Sequence, residues 1–432
     1  MKRVIPILLC IVTLCGLSAK PKKLKKGETY SISDQSVSKY EEPGIAILEG
    51  DVSKLSSLLN TGVSPHKKQG SGISLLGIAI QTGNAKIVKM ILEHPKFSNI
   101  NERFTVVTSV APVYISMQSS AIVEAIKTGN PEMIAMIMDE NPSVEEVYEE
   151  HVLVEGRKEI DMIYTPLILA MNELNSYDGR AKKTTKNYKL ADYAEQVQRI
   201  ADATKNVNLV IPENQNASGP GNKPYANKLP NVAQLKSLLM YITPSVDAKR
   251  GLNTYSNKVV MSIIDRGANV NYSYTVDFTA YNKAVAKQYG AMLDPQVAKQ
   301  LAAINKTTIA KQTIYASHIQ KNAELLEYAL EHGATVAHNG DKSATFFCSL
   351  TDLATIKMLV KRGMDINTLN PLNGFPLLFT IIGIPDTEML EGVLRMGADM
   401  ELLNKNGCSV EKCLQGMRPR DRKKQRKVIE KY

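Results

Sequence analysis

The sequence predicts an all-α fold of stacked helix pairs, and three observations carry that prediction. The first is a recurring helix ending, in which two adjacent apolar residues come shortly before a glycine. It occurs as Leu58-Leu59 before Gly62, Ile263-Ile264 before Gly267, Ala329-Leu330 before Gly333, Leu359-Val360 before Gly363 and Val393-Leu394 before Gly397. The second is an apolar pair four residues upstream, at Val259-Val260, Leu325-Leu326 and Met389-Leu390. Positions i, i+1, i+4 and i+5 fall on one stripe of a helix, and glycine beyond the stripe supplies the left-handed backbone that ends it. The third is spacing. Gly333, Gly363 and Gly397 recur every 30 to 34 residues, as copies of one stacked unit would.

A shorter helix precedes each striped one, marked by alanine and, four residues later, glycine. Ala46–Gly50, Ala79–Gly83 and Ala125–Gly129 follow this pattern. The small alanine admits a neighbouring helix, and the glycine turns the chain into the next one. Thr165-Pro166-Leu167 opens a further copy before Ala170. There threonine caps the helix and proline suits its first turn. The array reads as eight pairs and a partial ninth, beginning near 41, 74, 119, 165, 231, 279, 342, 375 and 409.

These motifs resemble the ankyrin repeat family. The likeness rests on Thr165-Pro166-Leu167, the alanine–glycine markers and the apolar doublets. It rests equally on the tails Arg266–Asn271, Arg362–Asn367 and Met396–Met400, and on the Asn404–Gly407 opening. The family histidine after Thr-Pro-Leu is replaced by Ile168. The resemblance implies a solenoid over 41–415, of about eight to nine helix pairs with β-hairpin connections and irregular insertions. It also implies a concave surface that holds other proteins.

The marker alanines are 33 residues apart from Ala46 to Ala79, then 46 and 45 apart to Ala125 and Ala170. Phe104–Thr108 and Val113–Ser116 flank one turn, and His151–Val154 and Ile160–Tyr164 flank another. Both stretches are rich in β-branched and aromatic residues and read as elongated hairpins. Further insertions fall at about 175–188, 207–231, 243–256 and 289–320. The second holds a run rich in asparagine and proline, and reads as disordered. A helix after Tyr188 is expected to bury Leu190, Tyr193, Val197, Ile200 and Ala201.

The two ends differ from the body. Residues 1–19 read as a secretory signal peptide: a short positive start, an apolar run from Val4 to Leu17, then Ser18-Ala19. Export to a periplasm or the exterior follows. A lipid anchor is disfavoured because Leu9 and Leu14 stand where a small residue should precede Cys10 or Cys15. Residues 20–40 form a basic polar linker and 416–432 a basic tail. Eight basic and two acidic residues lie between Arg418 and Tyr432, so most of the formal charge of +10 belongs to the ends. Cys348, Cys408 and Cys413 remain after the leader, and an odd count excludes a complete set of intramolecular disulfides. They read as small buried residues, with a Cys408–Cys413 or Cys348–Cys408 bridge left open.

Catalytic chemistry has no signature here. The six histidines are scattered without ligand spacing, and Gly219–Lys223 lacks the hydroxyl residue and preceding strand of a phosphate loop. Glu145, Glu146, Glu149, Glu150 and Glu155 read as a solvated face. The expectation is therefore a monomeric, non-enzymatic scaffold or tether, without cofactor, metal or nucleic acid, that binds another protein. Its candidate contacts are Phe104, Tyr114, Arg157, Tyr164, Tyr272, Tyr274 and Phe278 on the projecting connections. The alternative is electrostatic anchoring to an anionic membrane or glycan through Arg418, Arg420, Arg422, Lys423, Lys424, Arg426 and Lys427.

Overall fold

A computed structural model describes residues 40–70, 72–110, 113–154, 157–176, 188–213, 234–243, 254–272, 274–277, 306–309, 322–334, 347–348, 350–370, 374–403, 407 and 409–432. The expected leader, nearly all of the 20–40 linker and most of the inserted segments lie outside them. The chain divides into two compact units, Met1–Ile242 with Val276–Thr307, and Thr243–Thr275 with Thr308–Tyr432.

The first unit alternates helices and strands. Its helices are α1 (Glu42–Glu49), α2 (Val52–Asn60), α3 (Leu75–Thr82) and α4 (Ala85–Leu92), followed by strands β1 (Phe104–Val110) and β2 (Val113–Ser119). Next come α5 (Ala121–Lys127), α6 (Pro131–Asp139), β3 (Tyr148–Val154), β4 (Arg157–Tyr164), α7 (Pro166–Ser176) and α8 (Leu190–Ala203). β5 (Val210–Glu213), β6 (Gln234–Ser237) and α9 (Leu238–Ile242) close it. α1, α3, α5, α7 and α9 pack in succession, each against the next, while α2 lies on α4 and α6 on α8. α8 buries Tyr193, Val197, Ile200 and Ala201.

Local chemistry sets the helix ends. The side chains of Asp51, Ser74, Asn84 and Asn130 each accept a backbone N–H from the first turn of the helix that follows. The glycines of the recurrent ending, Gly62, Gly267, Gly333, Gly363 and Gly397, all have positive φ. The residue after each donates to a carbonyl five residues back, as from Val63 to Leu58 and from Met364 to Leu359. That bond closes a Schellman turn and satisfies a carbonyl the helix would leave orphaned.

The all-α solenoid must be corrected. β1, β2, β3 and β4 form one four-stranded antiparallel sheet in that order, so the class is mixed, helical with a sheet. The two hairpins expected as separate connections join through β2 and β3, which pair from Val113↔Val154 to Met117↔Glu150. The reason is geometric. Only α5 and α6 separate the hairpins, and both hairpins start from the same helix layer, so β3 returns beside β2. Periodicity identifies each hairpin, but no local signal reports pairing between them. β5 and β6 form a further antiparallel pair, and β7 (Tyr274–Asp277) and β8 (Lys306–Ile309) pair in a sheet of two strands.

The second unit holds α10 (Thr254–Asp265), α11 (Ala323–Glu331), α12 (Leu353–Lys361), α13 (Leu377–Ile382), α14 (Thr387–Arg395), α15 (Val410–Gln415) and α16 (Pro419–Ile429). α10, α11, α12 and α14 pack in succession. Asn257 and Asn322 exchange side-chain amide bonds at 3.1 and 2.7 Å, both almost wholly buried, and Asn257 also donates to Glu324 at 2.8 Å. This pair fixes the register of α10 against α11. Two tail asparagines bridge to the next turn: Asn271 donates to the Gly333 carbonyl at 2.9 Å and Asn367 to that of Gly397 at 3.1 Å. Cys348 is buried and reduced, its thiol pushed up to about 11 by burial, and Cys413 is half-buried.

Candidate interaction surfaces

The expected contact residues separate into core and strand positions. Phe104, at the start of β1, is 5% exposed. Its ring stands over Gly77 of α3, where an added Cβ would come within 2.9 Å of it. Tyr164, at the end of β4, is 1% exposed and stacks on Tyr148 with ring centroids 6.0 Å apart. These two are therefore anchors of the sheet on the helices and not open contacts. Their aromatic bulk, which suggested an interface, serves the core instead. Tyr114 lies in β2, Arg157 in β4 and Tyr274 in β7, Tyr272 is half-buried, and Phe278 falls outside the described residues.

Sequence reading missed a polar network where the sheet meets the helices. Glu124 of α5 is 2% exposed. Its carboxylate accepts from the Ser119 hydroxyl, from the Gln81 amide of α3 at 2.7 Å and from the Lys127 ammonium at 3.4 Å. Burial works against the charge on Lys127, but Glu124, with Tyr164 and Glu150 behind it, more than compensates and holds the ammonium above its usual range. Burial also raises the hydroxyls of Tyr148 and Tyr164. Tyr148 donates to the Ser120 hydroxyl at 2.8 Å, and Tyr164 to the Gln118 carbonyl at 3.5 Å. One signal was available: Glu124 is the lone charge in Ala121-Ile-Val-Glu-Ala-Ile126, and a charge within a buried run needs a partner.

The acidic cluster after α6 is not a merely solvated face. Glu146 pairs with Arg103 at 2.6 Å, and the Arg103 guanidinium lies over the Tyr148 ring, 4.8 Å from its centre. Glu145 accepts the backbone N–H groups of Lys205 and Asn206. Nearby, His66 accepts the Ser98 N–H on Nε2 at 3.1 Å, so Nδ1 carries the proton it shares with Glu102 at 2.9 Å. Both ring nitrogens are committed, and the ring stacks on Phe97 at 4.9 Å. His66 is a turn fastener.

The basic end is an ordered helix. In and around α16, Arg418, Arg420, Lys423, Lys424, Arg426 and Lys427 are exposed and Arg422 is half-buried. Arg426 pairs with Glu411, and Arg422 donates to the Met417 carbonyl at 3.1 Å. Among the described residues, no cluster of histidine, cysteine and carboxylate side chains could hold a metal ion, and no helix is long and apolar enough to cross a membrane. In comparison with known proteins, no family model and no curated protein matches the chain.

Proposed function

We propose that the protein is a non-enzymatic scaffold that holds another protein in the cell envelope or outside the cell, and that the four-stranded sheet is its contact element. The sheet register carries this reading. It places Val106, Thr108 and Val110 of β1, Val113, Ile115 and Met117 of β2, and Glu150, Val152 and Val154 of β3 on one face. The opposite face takes Thr105, Val107, Ser109, Tyr114, Ser116, Gln118, His151 and Leu153. Across β1, β2 and β3 the first face is thus mainly apolar, with Thr108 and Glu150 the exceptions, and in β4 it passes to Arg157 and Glu159; an apolar stretch with a charged border suits a protein partner. The buried Glu124–Lys127 network supports the reading, because it holds the sheet root at one orientation on α3 and α5. The likeness of the helix-pair motifs to ankyrin repeats, a family that holds proteins, supports it as well. The leader-like first nineteen residues support export.

The test is a crosslinked pull-down from native envelope extract, with the wild-type protein beside a Val113→Glu, Val154→Glu variant. These residues are direct cross-strand partners. A protein captured by the wild type and lost with the variant is the expected result. An identical set of captured proteins from both baits would refute the sheet as contact element.

A further inference from the structure

Arg420, Lys423, Lys424 and Lys427 of α16 are spaced three, four and seven apart, so they form one stripe along the helix. All four are exposed, and among the described residues none makes an ion pair, nor does Arg418 at the N-cap. The other side of the helix is committed to the protein. Gln425 and Val428 are buried, Gln425 donates to the Ile384 carbonyl at 2.7 Å, and α16 packs on α14 and α15. Half-buried Arg422 and exposed Arg426 are engaged by protein groups, and among the described residues the four stripe cations are not in an ion pair.

This arrangement works against the helix that carries it. Arg420 and Lys424, and Lys423 and Lys427, are like charges at i, i+4, each pair opposing helix formation. Arg418 and Arg420 also sit at the N-terminus, where the helix dipole favours acids, and Asp421 is the one acid in the first turn. Charges that oppose their own helix and meet no internal partner call for an external one.

We propose that this face docks on an anionic phospholipid bilayer. Three of the four stripe residues are lysines, whose compact charges suit a fluid layer of phosphates better than the bidentate forks of a fixed site. The helix offers no aromatic residue to stack on bases, which disfavours single-stranded nucleic acid. No apolar residue interrupts the stripe, so attachment is electrostatic and reversible, without insertion. Each cation near an anionic surface strengthens binding by about fivefold, and salt screens the attraction over about a Debye length.

The experiment is co-sedimentation of the full chain with vesicles of phosphatidylcholine alone or with about one-third phosphatidylglycerol. Binding is expected only to the anionic vesicles, with release when salt rises from about 0.1 to about 0.5 M. A Lys423→Gln, Lys424→Gln, Lys427→Gln variant should bind about a hundredfold more weakly, with a thermal melt no lower than that of the wild type, because all three residues are exposed and both like-charge pairs are relieved. A Lys86→Gln, Lys89→Gln variant in α4 removes similar charge elsewhere and should bind as the wild type does. Equal binding to neutral vesicles, undiminished binding by the triple variant, or capture by polyglutamate or duplex DNA with no affinity for anionic vesicles would each overturn the proposal.

Discussion

Glu124 shows how one side chain decides a local architecture. Its carboxylate serves α3 through Gln81, β2 through Ser119 and its own helix through Lys127. Replacing one member of a buried pair strands the other, so Glu124→Leu should destabilise the first unit by about 3 kcal/mol. Glu124→Leu combined with Lys127→Met should recover much of that loss, because the stranded ammonium is gone. Urea unfolding of the three proteins checks this, and equal losses for single and double variants would contradict it. The tyrosines give a second prediction at this scale. The Tyr148 and Tyr164 hydroxyls are raised in the folded state, so the folded protein holds protons that the unfolded chain gives up. Their contribution is complete below the unfolded value of about 10 and is lost as pH rises through the folded values. Thermal melts should therefore fall above about pH 10, and Tyr164→Phe should flatten that fall. A slope unchanged by the substitution would remove Tyr164 from the account.

Elements were legible in the sequence where their signal was local. The recurrent glycines appear as left-handed helix ends because the apolar stripe and the missing side chain lie within one turn. Phe104–Ser116 and His151–Tyr164 are readable as hairpins because β-branched and aromatic residues flank a turn. Their union into one sheet was not readable, since the Val113↔Val154 pairing spans α5 and α6 and leaves no periodic trace. For the same reason Phe104 and Tyr164 suggested contacts. Sequence reports that a strand carries an aromatic residue, but not which end of the strand meets a helix. Glu124 stands just before the Ala125–Gly129 marker and Lys127 within it, and the marker's alanine and glycine say nothing of a charge pair. At this scale Gly77 is the telling position. An alanine there would meet the Ile73 side chain at 2.8 Å and the Phe104 ring at 2.9 Å. Gly77→Ala should cost about 1–3 kcal/mol, measured by chemical denaturation, and a neutral effect would mean that Phe104 is not fixed against α3.

At the scale of the whole molecule, the division into two compact units bears on stability. Each has its own core: Ile80, Ile87, Ile126 and Tyr148 belong to the first, and Leu325, Leu359, Ile381 and Leu390 to the second. Calorimetry should therefore show unfolding that departs from a single two-state transition. Gly77→Ala should lower the temperature of one component and Asn322→Ala, which breaks the buried amide pair with Asn257, that of the other. A single sharp transition shifted equally by both substitutions would show that the units melt as one.

The sheet has one more property, and it concerns time. All four strands lie between Phe104 and Tyr164, so the sheet waits for nothing made later in synthesis. As the chain emerges from its N-terminus, β1 and β2 close first and leave one edge of β2 bare. That edge stays open only while α5, α6 and the start of β3 appear. An unpaired strand invites foreign pairing, and here the interval of risk is a few dozen residues of growth. Arranging the strands contiguously is thus a safeguard during biogenesis, obtained from the order of segments along the chain.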